Sequence, residues 1–66
     1  MELVVNGEHR RLGDGATVDA LVETLALGRR GVAVAVNSEI VPRSAWTVTH
    51  LTAGDVVEVL HAVQGG

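Results

Sequence analysis

Residues 17–36 read TVDALVETLALGRRGVAVAV, and this stretch joins a predicted helix to a predicted strand. The apolar residues of the helix follow the i, i+3, i+4, i+7 spacing of one buried face: Val18, Leu21, Val22 and Leu25. Thr17 can cap the start of this helix, and Gly28 can cap its end. The run 32–36 is apolar on both faces, as expected for a central strand that the helix covers on one side. The stretch therefore predicts one helix packed on a sheet.

Shorter strands are predicted on both sides of this stretch. Together with 32–36, the predicted strands are 2–6, 9–12, 39–41, 47–49 and 56–62. Gly7 and the pair Asn37-Ser38 lie where turns are needed. Pro42 ends the strand before it, because proline has no N–H to donate to a neighbouring strand. Residues 43–46 are predicted as an irregular or single-turn segment.

The order ββαβ, then short pieces, then a final strand predicts an α+β fold of the ubiquitin-like β-grasp type, with a mixed sheet and one helix on one face. A right-handed crossover through the helix would place the first and third strands parallel and adjacent, with the last strand in the middle of the sheet. In that last strand Glu58 should face water, which turns its two neighbours inward and leaves Leu60 on the outer face. The predicted organisation is one domain, 1–62, followed by a flexible and exposed tail, 63–66.

The composition excludes several classes of function. The chain of 66 residues has no cysteine, which excludes disulfides, thiolate metal sites and sulfur carried on its own thiol. Its formal charge is -3 and its basic residues occur at most in pairs, so nucleic acid is not expected as a partner. No apolar run is long enough to span a bilayer, and the N-terminus does not have the pattern of a signal peptide. We therefore expect a cytoplasmic location and no membrane contact.

An internal catalytic or metal site is not expected either. The three histidines, His9, His50 and His61, are not at metal-ligand spacing, which favours surface or structural roles. The serines lack a Gly-x-Ser-x-Gly setting, and the glycines do not form a phosphate-binding loop. The carboxylates are spread singly along the chain. The sequence thus predicts no bound cofactor or metal and no enzyme activity in the chain itself.

The C-terminal pair Gly65-Gly66 is the feature with clear chemical potential. It follows the last predicted strand, so the carboxylate would stand on the tail 63–66, which is roughly 13 Å long when extended. A carboxylate can attack the α-phosphate of ATP to give an acyl-adenylate, and a sulfur nucleophile can then displace AMP to leave a thiocarboxylate. Val63 and Gln64 complete the tail, and its two glycines would allow it to enter a narrow channel in another protein. The alternative interpretation of the glycine pair is a frayed chain end.

The chain resembles a known family over its whole length, with the specific detail in its second half. The segment 37–46, Leu51, the pair Gly54-Asp55 and the end 63–66 resemble the ThiS family of sulfur carriers in thiamine biosynthesis. The resemblance implies that Gly66 is adenylated by an ATP-dependent, ubiquitin-activating-like adenylyltransferase and converted to a thiocarboxylate with sulfur from a donor enzyme. It also implies that a thiazole synthase accepts the sulfur and that the activating partner, not this chain, binds ATP.

Two surface features are candidates for partner contact. The segment 42–46 is either a stiff turn that packs Trp46 against the sheet or a contact for a partner. Leu60 is either a lone exposed apolar residue or part of a docking patch with Val36 or Ile40. The candidate contact residues are therefore Leu60, Ile40 and Trp46.

Other functions fit parts of the same pattern. The small subunit of molybdopterin synthase has the same fold, the same diglycine and the same activation chemistry. Its tails usually carry prolines and an aromatic residue before the glycines, unlike residues 62–64 here. A carrier for another pathway, such as cysteine synthesis, is a further alternative. A ubiquitin-like modifier would attach Gly66 to substrate lysines, although this chain has no lysine on which copies could be linked. A pure interaction module would leave the tail unused.

Overall fold

The computed structural model describes residues 1–28 and 30–62, which form a five-stranded sheet with one α-helix. In chain order the elements are β1 (Glu2–Val5), β2 (Glu8–Arg11), α1 (Val18–Thr24), β3 (Val32–Val36), β4 (Glu39–Val41), a 3₁₀ turn (Arg43–Ala45) and β5 (Val56–His61). The strand order in the sheet is β2-β1-β5-β3-β4. This mixed sheet with a single α-helix confirms the predicted β-grasp fold.

Two tight turns connect the antiparallel pairs. β1 and β2 are joined through Asn6 and Gly7, with φ angles of 51° and 80°. β3 and β4 are joined through Asn37 and Ser38, with φ angles of 50° and 72°. Positive φ at both central residues is the feature of type I′ turns, whose twist matches that of the strands they connect. Both predicted turns are therefore confirmed.

The last strand occupies the middle of the sheet, as predicted. β5 runs parallel to β1, with Val4 opposite Val56, and antiparallel to β3, with Val34 opposite Val59. The prediction that the first and third strands are parallel and adjacent is wrong on both counts. The connection through α1 crosses the width of one strand, and β5 fills that gap. Because β3 is antiparallel to β5 and β5 is parallel to β1, β3 runs opposite to β1.

The helix begins where predicted but ends earlier. The backbone N–H of Ala20 donates to Thr17 Oγ1 at 3.1 Å, which confirms Thr17 as the N-cap. The prediction of Gly28 as the C-cap is wrong, because Leu25 is the C-cap residue. The N–H groups of Leu25 and Ala26 bond to carbonyls three residues back, which tightens the last turn, and Ala26 then adopts a positive φ of 56°.

The predicted edge strand at 47–49 is also wrong. Thr49 Oγ1 donates to the Ala45 carbonyl at 2.7 Å, and the N–H of Val48 donates to the same carbonyl at 3.2 Å. These local bonds extend the single-turn segment into a further turn, and they take the place of pairing with the sheet. His50 then makes only an isolated bridge to Thr17.

The core lies between α1 and one face of the sheet, called here the inner face. The buried apolar side chains are Leu3, Val5, Val18, Leu21, Val22, Val34, Trp46, Leu51, Val57 and Val59. Val57 and Val59 are 0% and 6% exposed, as predicted from the alternation in β5. The opposite, outer face of the sheet has no helix over it within the described residues.

Candidate functional site: the outer sheet face and the end of the last strand

The end of β5 forms the base of the predicted functional tail. The strand ends at His61, and the N–H of Ala62 still donates to the Gly31 carbonyl at 2.8 Å. The residues predicted to carry sulfur and to thread the tail, Gly66, Gly65, Gln64 and Val63, lie outside the described residues. What the structure defines is the place from which this segment starts.

The tail-proximal part of β5 is paired unequally on its two sides. On the β3 side the ladder continues to the pair Val32 and His61. On the β1 side the strand pairing ends at Val5 and Val57. Beyond that point the side chain of Asn6 takes over, because Asn6 Oδ1 accepts the N–H of Val59 at 2.8 Å and Asn6 Nδ2 donates to the Val59 carbonyl at 3.0 Å. A carboxamide has the same donor and acceptor as a peptide group, so it can substitute for one further strand residue.

The two most exposed large apolar side chains of the outer face are Leu60, close to the tail base, and Ile40, on the edge strand β4. Leu60 is 72% exposed and Ile40 is 74% exposed. Leu60 lies opposite Ala33, and Ile40 lies opposite Ala35. The small alanines leave a shallow depression between the two larger side chains, with a rim that includes Asn6, Ser38 and Glu58. We call Leu60, Ile40, Ala33 and Ala35 the outer apolar patch.

Two of the residues considered for partner contact do not belong to this patch. Val36 lies opposite Val57 on the inner face and packs against the core, so its assignment to a docking patch is wrong. Trp46 is only 1% exposed, and its Nε1–H donates to the Val41 carbonyl at 3.0 Å. Its assignment as a candidate partner contact is therefore wrong, and the turn 42–46 packs Trp46 into the core as one interpretation predicted. Contact of a partner with the exposed residues 42–44 stays a prediction. The indole needs a hydrogen-bond acceptor when it is buried, and the end of β4 provides it.

The carboxylate of Asp55, directly before β5, accepts hydrogen bonds from neighbouring segments. Asp55 accepts the backbone N–H of Thr52 at 2.8 Å, the Thr52 hydroxyl at 3.0 Å and Asn37 Nδ2 at 3.0 Å. These bonds, the backbone N–H of Thr52 first, lower the pKa of Asp55 from its ordinary value of 3.8, although partial burial opposes the shift. Asn37 Oδ1 also accepts the N–H of Val56 at 2.9 Å. This network links the β3–β4 turn to the residues that lead into β5.

The histidines lie apart in the described structure. The Nδ1 atom of His50 is 2.8 Å from the Gly15 carbonyl, and that of His9 is 3.7 Å from a carboxylate oxygen of Glu2. His61 is exposed at the end of β5. Across residues 1–28 and 30–62, histidine and acidic side chains do not come together in any group of three that could hold a metal ion. Over the same residues, no helix combines the length and the apolar character needed to cross a membrane.

Sequence reasoning missed the roles of Asn6 and Asn37. It identified turns at both places but did not assign a partner to either side chain. The available signal was asparagine at the first central position of a two-residue turn, where positive φ favours it. That position brings the carboxamide next to the backbone of β5 in both cases.

Comparison with known proteins identifies the family. A sequence model of the ThiS family matches residues 2–66. The chain is 32% identical over 66 residues to the sulfur carrier protein ThiS of Escherichia coli, a match that covers 100% of both chains. It is 41% identical over 66 residues to a protein of Paramagnetospirillum magneticum named thiazole synthase, and this match covers 100% of the present chain but 20% of that protein.

The fold agrees with a solved member of the family. The crystal structure of the thiamine biosynthesis protein ThiS from Geobacter metallireducens superposes with a TM-score of 0.82 at 32% sequence identity, and the match covers 100% of both chains. Sequence and fold thus agree over the full described length. From its five-stranded β-grasp sheet and the family match over residues 2–66, the chain belongs to the ThiS family.

Proposed function

We propose that this chain is a sulfur carrier of thiamine biosynthesis that works through the carboxylate of Gly66. An ubiquitin-activating-like adenylyltransferase binds ATP and the tail, a donor enzyme supplies sulfur, and a thiazole synthase receives it. The chain is then a co-substrate of these enzymes and not an enzyme itself. The proposal rests mainly on the match to the ThiS family model, which extends through Gly66. A relative that matches this chain over its full length is named a sulfur carrier protein.

The proposed chemistry has two steps at the same carboxylate. First, a carboxylate oxygen of Gly66 attacks the α-phosphorus of ATP, and pyrophosphate leaves. Sulfide (HS⁻) from the donor enzyme then attacks the acyl carbon, the C–O bond to the phosphate breaks, and AMP and a proton leave, so that the carboxylate becomes a thiocarboxylate. The adenylyltransferase binds the ATP, and the donor enzyme supplies the sulfur. The ATP requirement agrees with the cytoplasmic location expected from the sequence.

The P. magneticum relative supports the thiazole synthase as the acceptor. In that protein, a segment similar to this whole chain makes up 20% of a polypeptide named thiazole synthase. Two functions placed in one polypeptide are held at a high effective concentration, which is useful when one passes a group to the other. Membership of the ThiS family likewise favours the thiamine pathway over the molybdopterin pathway.

The outer apolar patch is the proposed docking surface. Leu60 is two residues from Ala62, so a partner that covers the patch is also next to the base of the tail. Full burial of an exposed leucine or isoleucine side chain in a partner pocket is worth about 1.5–3 kcal/mol. We expect Leu60→Ser or Ile40→Ser to weaken binding to the adenylyltransferase about tenfold or more.

A matched control for the patch exists in the same chain. Val48 is 71% exposed but lies in the turn after the 3₁₀ segment and not on the outer face. Val48→Ser removes a similar exposed apolar area and should leave the dissociation constant unchanged within about twofold. Calorimetric titration with the adenylyltransferase measures all three variants. Equal weakening by Val48→Ser and Leu60→Ser would contradict the assignment of the patch.

The role of the glycine tail is tested by substitution. Gly66→Val and Gly65→Val should abolish ATP–pyrophosphate exchange catalysed by the adenylyltransferase, because a Cβ would obstruct entry into a narrow channel. Gly13→Val is the control, since Gly13 has an ordinary φ and no atom within 4 Å of where its Cβ would lie. It should retain exchange activity. Wild-type exchange with Gly66→Val would contradict the proposed function.

A further inference from the structure

We propose that Asn6 is a positioning residue for sulfur transfer. Its side chain holds the tail-proximal part of β5, so that the tail starts from a fixed point and in a fixed direction. This inference rests on the proposed function, because it concerns how the carrier presents its tail. The residue touches neither Gly66 nor any reacting atom, and its effect would pass through the backbone of β5.

This inference is based on the unequal lengths of β5 and β1, because β5 continues beyond the end of β1. β1 ends at Val5, opposite Val57, whereas β5 continues to His61. Asn6 makes three bonds to β5: the last backbone bond of the ladder and two side-chain bonds beyond it. Its N–H donates to the Val57 carbonyl at 2.9 Å, its Oδ1 accepts the Val59 N–H at 2.8 Å, and its Nδ2 donates to the Val59 carbonyl at 3.0 Å. β5 is thereby fixed on both sides as far as Val59.

The position of Val59 makes these bonds significant. Its side chain is 6% exposed and packs in the core, so its peptide groups cannot turn freely toward water. Val59 is also three residues before Ala62, where the described structure ends. If the side-chain bonds of Asn6 were lost, the segment that is paired on the β3 side alone would lengthen from 60–62 to 58–62. Local opening would then extend further back from the tail.

Asn37 provides an internal comparison at the opposite end of β5. It occupies the same place in its turn as Asn6, with a φ of 50° against 51°. Its Oδ1 accepts the N–H of Val56 at 2.9 Å, and its Nδ2 donates to Asp55. Asn37 therefore makes the same kind of bond to the same strand, but at the residue furthest from the tail. A purely structural role predicts similar effects for both asparagines, whereas a positioning role predicts an effect of Asn6 alone.

The consequence for transfer is an entropic cost at binding. A partner that requires an extended tail must order every residue that is loose in the free carrier. Ordering one additional residue weakens binding about five- to thirtyfold. The chemical step, once the tail is bound, is not affected. The expected signature is therefore a higher half-saturating carrier concentration at an unchanged maximal rate.

The experiment compares Asn6→Gly with Asn37→Gly. Glycine accepts positive φ, and Gly-Gly and Gly-Ser are both normal hairpin turns, so each variant loses the side-chain bonds but keeps its turn. Thiocarboxylate formation by the adenylyltransferase and a sulfide source is measured against carrier concentration. We expect Asn6→Gly to raise the half-saturating concentration about five- to thirtyfold and to leave the maximal rate within about twofold. Asn37→Gly should leave the half-saturating concentration and the maximal rate within about twofold of wild type. Equal effects of the two substitutions, or none, would overturn the proposal.

Amide hydrogen exchange provides a readout without any partner. Asn6→Gly should increase the exchange rate of the Val59 amide about tenfold relative to wild type and leave that of Val56 unchanged, and Asn37→Gly should do the reverse. Asn6→Asp, which keeps the acceptor but puts an oxygen opposite the Val59 carbonyl, is the second variant should Asn6→Gly unfold. Unchanged protection of the Val59 amide in both Asn6 variants would show that Asn6 does not hold β5 and would overturn the proposal. Failure of the wild-type chain to be activated would instead overturn the proposed function, and the exchange rates would still show whether Asn6 holds β5.

Discussion

Replacement of Asp55 by alanine should destabilise the domain at neutral pH and much less in acid. The carboxylate accepts three hydrogen bonds, from the N–H and hydroxyl of Thr52 and from the amide of Asn37. A hydrogen bond to a charged group contributes about 1.5–3 kcal/mol when it is shielded from water, and these bonds are solvent-exposed. We therefore expect a loss of about 1–2 kcal/mol for the three together. For a domain of this size that loss lowers Tm by about 5–15 °C.

The pH dependence follows from the sign of the pKa shift. The pKa of Asp55 is lowered in the folded state from the ordinary value of 3.8. A group with a lowered folded pKa contributes stability that is present above its unfolded pKa and is lost as the pH falls through the folded pKa. The difference in unfolding free energy between wild type and Asp55→Ala should therefore be constant from pH 7 to about pH 5. It should then shrink below about pH 4.

Urea unfolding followed by the fluorescence of Trp46 measures this difference. Trp46 is the single aromatic residue and is 1% exposed, so its emission should shift strongly on unfolding. Glu23→Ala is the control, because Glu23 is an exposed helix residue and its loss should change stability by no more than about 0.5 kcal/mol. The reasoning is refuted if Asp55→Ala costs no more than the control at pH 7. It is also refuted if the cost is the same at pH 7 and pH 3.

Four further substitutions test other parts of the fold. Ser38→Gly and Ala26→Gly should each raise the unfolding free energy by about 0.5–1 kcal/mol, because both residues have positive φ. A lower Tm of either variant in thermal denaturation would contradict this. Thr17→Ala should cost about 1 kcal/mol by removing the helix N-cap, and an unchanged Tm would show that the cap is not needed. Trp46→Phe should cost about 1–3 kcal/mol, since it leaves the Val41 carbonyl without its donor and shrinks the core; circular dichroism replaces fluorescence as its probe.

The elements of the fold could be predicted from the sequence where local patterns act alone. The apolar spacing of α1, the cap at Thr17, the two tight turns and the alternation in β5 were all readable, because each depends on residues close together in the chain. The last strand was correctly predicted to lie in the middle of the sheet, but the first strand was wrongly predicted to lie beside the third. Whether β5 or β1 lies beside β3 depends on which pairing buries most apolar surface in three dimensions, and sequence alternation does not encode it. The helix end and 47–49 depend on hydrogen bonds formed in a particular loop geometry.

The candidate site was predicted to a different extent. Leu60 emerged from strand alternation, which fixes the face on which a residue lies. Ile40 was named only as an alternative to Val36 beside it, and the strand register decides between the two. The sequence did not decide whether Trp46 is buried or exposed, since an aromatic side chain after a proline turn can point into the core or toward solvent. In the structure it is buried, and its indole N–H donates to the Val41 carbonyl. Asn6 could not be recognised because its partner, Val59, is 53 positions away in sequence.

Intact mass spectrometry detects sulfur on the C-terminal carboxylate of this chain without any coupled assay. The purified protein would be incubated with ATP, the cognate adenylyltransferase and a sulfide source, beside a chain that lacks Gly66. We expect the full chain to gain the mass that corresponds to replacement of one oxygen by sulfur, and we expect no change in the mass of the truncated chain. An unchanged mass of the full chain with several active adenylyltransferases would contradict the proposed function and would favour a pure interaction module.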